Sequence, residues 1–518
     1  MRKALLLLAV AGAVRLVVGA VVPLFEDEAY YWVWALNPSL GYFDHPPAIA
    51  WLVGAGLPLL GDSYLGVRLF SILGGVVTTG ALAYTAWRIG ATPAAGEDGR
   101  DAAAANRSAW RASLLILALP LGAAGLLLAT PDAALLLTLA LTMAALDRAL
   151  ESDPGSRQDL GWWVITGIAL GLAFTAKYTA VLFPFGVTVA FLAHPDLRRR
   201  FLTLGPWLAS VVALLVFSPV VLWNAQNDWA SFAFQLGHGL GGGGSRPFAQ
   251  VTEMLGGQVG LASPILFFMM AWATWRALRQ RGEPRRFVLA VAATVIFGFF
   301  LFTATRDRVE ANWPALAYVP AIVLLATQPL TSRGRRWYDW GLGVGFAFVL
   351  LMNVQALYPV LPIPARNDPL AEAYGWDALA AAVDRETDQM LGDAATSACT
   401  GRVWAAANNY QDPSLLTFHR AGRERHFDLQ LARRPSQYRF WDGFTDLASP
   451  GDCLVVVFRT GSGLDLVAQH LGAGFSRWEM GPLEVLRRNG TGEAWEDRQI
   501  VRYYGWTGAV EPFTLAPD

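Results

Sequence analysis

Three consecutive carboxylates, Glu26-Asp27-Glu28, run directly into Ala29-Tyr30-Tyr31-Trp32, and Gly41-Tyr42-Phe43-Asp44-His45-Pro46-Pro47 follows shortly after. Adjacent side chains on a helix point about 100° apart, so Asp27 and Glu28 cannot both face one reacting atom. Asp27 is the expected catalytic carboxylate, with Glu28 beside it as the second catalytic candidate. A carboxylate partly desolvated by Tyr30, Tyr31 and Trp32 suits removal of a proton from a hydroxyl, the step that displacement at an anomeric carbon requires. An acidic helix start at a membrane surface would use the same residues. Asp44 and His45 add a second carboxylate and a titratable cation at a turn stiffened by Pro46 and Pro47, which suits a fixed contact. Packing of that turn by Tyr42 and Phe43 at a membrane interface is the plainer alternative.

Four more polar motifs interrupt apolar sequence. Asp132 follows Thr130-Pro131 between two apolar runs, where a carboxylate costs free energy unless it is paired or faces water; helix capping is the alternative. Lys177-Tyr178 stands between Ala173-Phe174-Thr175-Ala176 and Thr179-Ala180-Val181-Leu182-Phe183-Pro184, and its lysine is expected to bind an anion or a carboxylate. Gln235 to Pro247 holds His238, four consecutive glycines and Arg246; it lacks the strand-loop-helix context of a phosphate-binding loop and reads as a lid or a plain connector. In Arg306-Asp307-Arg308-Val309-Glu310-Ala311-Asn312-Trp313-Pro314, Arg308 suits clamping of phosphate oxygens, with Glu310 holding it in place. A helix end anchored at the lipid interface would explain the same residues.

The elements that must position these groups are membrane helices. The chain has 518 residues, 54% hydrophobic and only 16% charged, with a mean hydropathy of +0.36, too apolar for a water-soluble protein of this length. Apolar stretches long enough to count as spans lie at 4–23, 65–87, 112–129, 133–149, 162–176, 179–194, 204–223, 259–275, 287–304, 315–328 and 340–358, about eleven in all. With Arg2 and Lys3 in the cytoplasm, the Arg-rich connections at 88–111, 198–200, 276–286 and 333–336 fall there too. Every polar motif named above then falls on the opposite side. Arg15 lies within the first span, which reads as an uncleaved anchor. The net charge of −1 gives no basic field, so no nucleic-acid partner is expected.

The predicted organisation is a membrane domain over 1–358, a proline-rich linker over 359–372 and an extracytoplasmic α/β domain over 373–518. In the last, Trp376 to Met390 reads as an amphipathic helix and Cys453 to Phe458 as a buried strand. Cys399 and Cys453 either form a disulfide or are buried thiols of neighbouring strands.

These motifs resemble those of the GT-C superfamily of glycosyltransferases, in the bacterial branch related to protein O-mannosyltransferases and the lipid A aminoarabinose transferase. The resemblance covers residues 1 to 360 and is carried by EDEAYYWVW with GYFDHPPAIAWL, TPDAALL, AKYTAVLFP and RVEANWPALAY. It implies a polytopic α-helical GT-C fold, an active site on the outer face of a bacterial inner membrane and a polyprenyl-phosphate sugar as donor. The acceptor would be a glycolipid, glycan or protein. Asp27 then takes the acidic position of the first outer loop, and Asp44-His45-Pro46-Pro47 matches a Glu-Lys-Pro-Pro pattern in which histidine replaces the phosphate-contacting lysine. The implied donor-phosphate or substrate set is Asp44, His45, Asp132, Lys177, Tyr178, His238, Arg308, Glu310 and Asn312. His238 falls near a histidine that helps bind metal in the aminoarabinose enzyme; a divalent metal, zinc or magnesium, is left open. A membrane transporter or lipid flippase, or a catalytically silent acceptor-binding homologue, are the competing functions.

Overall fold

The computed structural model describes residues 2–91, 101–240, 246–392, 399–431, 434–461 and 463–513. The chain divides into two compact units, one of residues 1–19 and 38–353, the other of residues 20–37 and 354–518. This differs from the division read from the sequence: the acidic segment 20–37 clusters with the C-terminal part of the chain rather than with the membrane helices. Hydropathy assigns a segment by its own composition, whereas the Glu26–Leu36 helix packs its aromatic residues against the Gln411–His419 helix.

The first unit is helical. Each of the eleven apolar stretches overlaps helix, but among the described residues six helices are sufficient by length and composition to cross a membrane, and up to nine are if each sharply bent pair counts as one span. The bent pairs are Leu6–Val21 with Glu26–Leu36, Tyr178–Ala193 with Pro195–Leu202, and Pro247–Ala262 with Pro264–Arg279. Prolines mark the second and third of these breaks, because a proline restricts the residue before it and starts a helix more readily than it continues one. The unit also holds two shorter apolar helices, Ala48–Leu60 and Ala315–Ala326, the first of them outside every apolar stretch read from the sequence.

Burial orders the bundle. The Pro131–Glu151 helix is central, 72% of its apolar window being buried, whereas Leu204–Gln226 and Ser332–Leu357 are 28% buried and present Trp207, Leu214, Leu215, Trp340 and Leu350 outward. In a bilayer those side chains meet lipid. Gly167 and Gly171, spaced as Gly-x-x-x-Gly, bring the Arg157–Ala176 and Leu204–Gln226 helices close: a Cβ on Gly167 would lie 2.5 Å from the Ala209 carbonyl oxygen, and one on Gly171 2.6 Å from Val216 Cβ.

Arginines and carboxylates pair at one end of the central helix. Asp147 and Glu151 at its C-terminal end bind Arg88 and Arg285, with Arg88 Nε 2.6 Å from Asp147. Arg200 donates to the Leu150 and Ser152 carbonyls and pairs with Asp159, while Arg111 donates to the Gln328 carbonyl. These are the connections expected in the cytoplasm. Asp132 lies at the helix's other end, about 22 Å away at 1.5 Å per residue.

The second unit carries a five-stranded mixed sheet, ordered β2-β1-β3-β5-β4, from β1 (Val403–Ala407), β2 (His426–Asp428), β3 (Cys453–Arg459), β4 (Phe475–Arg487) and β5 (Ala494–Trp506). β1 pairs in parallel with β2 and β3, and β5 runs antiparallel to β3 and β4. β3 is buried on both faces, which its unbroken Cys-Leu-Val-Val-Val-Phe run requires. The Trp376–Gly392 helix appears where the amphipathic pattern placed it. Cys399 and Cys453 form a disulfide across a sequence separation of 54 residues. Closing a loop of that length restricts the unfolded chain, so reduction or Cys399→Ser is expected to cost about 4 kcal/mol. Denaturant unfolding of the intact protein with and without reductant measures it; coincident curves would contradict the expectation.

Candidate active site

In the first unit, three separate motifs meet at one carboxylate. Thr130 is the N-cap and Pro131 the first residue of the central helix, which leaves Asp132 in its first turn, 7% exposed. Lys177 ends the Arg157–Ala176 helix in an extended conformation, and its Nζ lies 2.8 Å from Asp132 Oδ1. Asn312 Nδ2 donates to Asp132 Oδ2 at 2.6 Å. Both charges sit at favourable helix ends, the carboxylate at an N-terminus and the ammonium at a C-terminus. Capping and site formation are therefore not alternatives for Asp132, since its position in the first turn aims it at Lys177.

The loop that supplies Asn312 is itself held. Gln258, fully buried on the Pro247–Ala262 helix, donates to the Ala311 carbonyl at 2.8 Å and accepts from the Tyr318 hydroxyl at 3.0 Å. Sequence reading passed over Gln258, although a lone glutamine in an apolar helix is the kind of signal that singled out Asp132. Arg308 on the same loop is exposed and pairs with Glu253 at 3.4 Å and with Glu310 at 3.7 Å, so Glu310 does face it as expected. Tyr178 bonds the Ser231 hydroxyl at 2.8 Å and sits edge-on to Phe232. The Asp44 turn is buried together with Tyr42 and Phe43, and the Asp44 carbonyl accepts from Gln235 Nε2 at 2.6 Å. His45, beside it, is half-buried. His238 lies in the Ala230–Leu240 helix, but its side chain and the glycine run at 241–244 lie outside the described residues. Among the described residues no three His, Cys, Asp or Glu side chains stand together to hold a metal ion.

In the second unit, the acidic triplet opens the Glu26–Leu36 helix and its three carboxylates part ways. Glu28 is fully buried, and its carboxylate accepts the Phe25 N–H at 3.1 Å, closing the first turn. That is the helix-start role weighed against catalysis, and it sets Glu28 apart from its neighbour. Asp27 is exposed, with Gln411 Nε2 at 3.4 Å from its Oδ1. Glu26, which sequence reading left without a role, begins an ion chain. Arg459 lies 3.0 Å from Glu26 and 3.2 Å from Asp412; Arg498 lies 2.8 Å from Asp412 and 2.6 Å from Glu496. Arg459 and Arg498 are cross-strand partners on β3 and β5, and the fully buried Asp412 bridges them.

Burial pushes the Glu26 carboxyl from 4.5 up to about 7; Arg459 opposes the shift, and Asp412, Glu372 and Asp27 add to it. A carboxyl whose folded pKa is raised stabilises the fold fully below pH 4.5 and loses that contribution as pH climbs through about 7. Glu26→Gln is therefore expected to flatten the pH dependence of stability between those limits, measured as melting temperature against pH. A profile parallel to that of the unaltered protein would refute it.

A family profile described as dolichyl-phosphate-mannose-protein mannosyltransferase matches residues 102–223. The lipid A galacturonosyltransferase RgtD of Rhizobium johnstonii is 27% identical over 363 residues, 68% of this chain and 70% of that protein. The undecaprenyl phosphate-alpha-4-amino-4-deoxy-L-arabinose arabinosyl transferase of Pseudomonas savastanoi is 28% identical over 198 residues, 38% of this chain and 34% of its own length. In fold, the crystal structure of ArnT from Cupriavidus metallidurans bound to undecaprenyl phosphate superposes with a TM-score of 0.63 at 19% identity, covering 99% of each chain. This multi-pass membrane protein is thus similar in sequence to a lipid A galacturonosyltransferase, to an aminoarabinosyl transferase and, over residues 102–223, to the protein mannosyltransferase profile, and similar in fold to ArnT.

Proposed function

We propose that this protein moves a monosaccharide from a polyprenyl-phosphate donor to a glycolipid, glycan or protein acceptor at the periplasmic face of a bacterial inner membrane, with inversion at the anomeric carbon. The observation that carries the reading is the buried Asp132–Lys177–Asn312 constellation at the opposite end of the central helix from the Asp147 cluster with Arg88 and Arg285. An ammonium has three donors, and Asp132 takes one, so the others are available to donor-phosphate oxygens. Asp132 holds Lys177 in place, and Asn312 fixes Asp132. In the reaction the acceptor oxygen attacks the anomeric carbon while the bond from that carbon to the phosphate oxygen breaks. Its electron pair leaves on the polyprenyl phosphate, whose charge Lys177 stabilises. The exposed Asp27 takes the acceptor hydroxyl's proton. Asp44, His45, Tyr178, Arg308, Glu310 and His238 remain assigned to donor or substrate binding, and no step is routed through a metal.

The names of the curated relatives support galacturonosyl or aminoarabinosyl transfer and a lipid A acceptor as first choices. The disulfide in the second unit supports an oxidising, extracytoplasmic setting for it. The test is transfer by the full-length protein in proteoliposomes, from synthetic undecaprenyl-phosphate donors carrying either sugar to lipid A. Mass spectrometry should show glycosylated lipid A and released undecaprenyl phosphate. Donor that crosses the bilayer without any transfer would instead establish the flippase reading.

A further inference from the structure

The Glu26–Leu36 helix has 11 residues, a length that is marginal in isolation, and its first turn crowds three carboxylates together. Its setting comes from the C-terminal part of the chain. Glu26 and Tyr30 lie one turn apart on one helix face, and each has a partner there. Arg459 at the end of β3 binds the Glu26 carboxylate at 3.0 Å, and the Gln437 N–H donates to the Tyr30 hydroxyl at 2.7 Å. The Tyr30 ring also lies 4.7 Å from that of Tyr410 and stacks on Tyr438 at 6.0 Å. Two anchors a turn apart fix both the rotation of a helix and its position along its axis. Asp27, about 100° around from Glu26, is thereby fixed as well.

We propose that Arg459 and Gln411 are positioning residues for the Asp27 carboxylate, Arg459 by locking the rotation of the helix through Glu26 and Gln411 by orienting the carboxylate through its side-chain amide. The proposal rests on the reading of Asp27 as the base, and it gives the C-terminal sheet a part in catalysis: it holds the helix that carries the base. Arg459 is itself held from behind, because Asp412 is clamped by Arg498. The charged groups facing Glu26 are Arg459 from β3, Asp412 from the Gln411–His419 helix, Glu372 from the Pro369–Ala373 turn, and Asp27 beside it. Among the described residues, Arg459 is the cation of this group. Its removal leaves the carboxylates facing one another, so ionisation near Asp27 moves to higher pH.

The experiment uses the full-length protein with Arg459→Gln, Arg459→Lys and the milder Gln411→Ala, read by amide hydrogen exchange and by the transfer assay. Arg459→Gln is expected to raise exchange in residues 26–36 about tenfold or more while β1 and β3 stay protected. It should lower kcat about 10- to 100-fold with donor KM unchanged, and move the acid limb of the pH profile upward. Arg459→Lys should restore most of kcat. Gln411→Ala is expected to lower kcat and leave exchange unaltered. Unchanged exchange in Arg459→Gln would overturn the tether. Raised exchange with unchanged kcat and pH profile would reduce the contact to a structural one and overturn the positioning role. An unaltered protein without transfer activity would overturn the functional reading and the positioning role with it, while exchange would still report separately on the tether.

Discussion

Lys177→Met is expected to lower kcat/KM for sugar transfer by about 10²- to 10³-fold, the magnitude seen when a donor aimed at developing charge is removed. The departing phosphate gains charge as the glycosidic bond breaks, and Lys177 is the buried cation of the three-motif constellation. Arginine should not rescue it, because a planar fork cannot occupy the point position that Asp132 Oδ1 defines at 2.8 Å. Removing one member of a buried pair also costs about 3–5 kcal/mol of stability. The double variant Lys177→Met/Asp132→Asn, which leaves no uncompensated charge, therefore separates the two effects. Its melting temperature should recover while its activity stays low. Recovery of both would reduce the pair to a packing device, and full activity in the single variant would end the phosphate-binding role.

Asp27→Asn is expected to lower kcat by about 10²- to 10⁴-fold on a hydroxyl acceptor, the usual contribution of a positioned general base, with donor affinity unchanged. Asparagine keeps the shape and the hydrogen bond from Gln411 but cannot accept a proton. On an acceptor whose nucleophile is already a phosphate, the same variant should retain turnover, because no proton needs to be removed. Parallel assays on the two acceptor types thus identify the nucleophile as well as the base. Equal losses on both would assign Asp27 to substrate positioning, and no loss on either would remove it from the reaction. A transporter would show no dependence of turnover on acceptor at all.

The constellation in the first unit was legible because its members are polar exceptions in apolar surroundings. Thr-Pro-Asp, Ala-Lys-Tyr and Glu-Ala-Asn-Trp each stand out locally, and burial forces such groups to find one another. Gln258 obeys the same logic and was passed over because it is uncharged. The ion chain of the second unit was not legible, since Glu26 and Arg459 are 433 positions apart and each sits in a segment where charge is ordinary. Helix periodicity located the apolar stretches, but it does not reveal where a span bends or that a short helix such as Ala48–Leu60 lies between two longer ones. For the same reason the acidic helix was assigned to the membrane domain. Its membership in the second unit is decided by tertiary partners, Tyr410, Gln437 and Arg459, that hydropathy does not weigh.

Gly167 and Gly171 meet only main chain and hydrocarbon, yet the helix they allow to nestle against Leu204–Gln226 ends in Lys177, about 9 Å beyond Gly171. A methyl group added at either position would act as a wedge, prying two backbones apart and swinging the ammonium off its carboxylate. A mutant screen would score such a change as an active-site lesion, although every atom it disturbs directly is hydrocarbon or main chain.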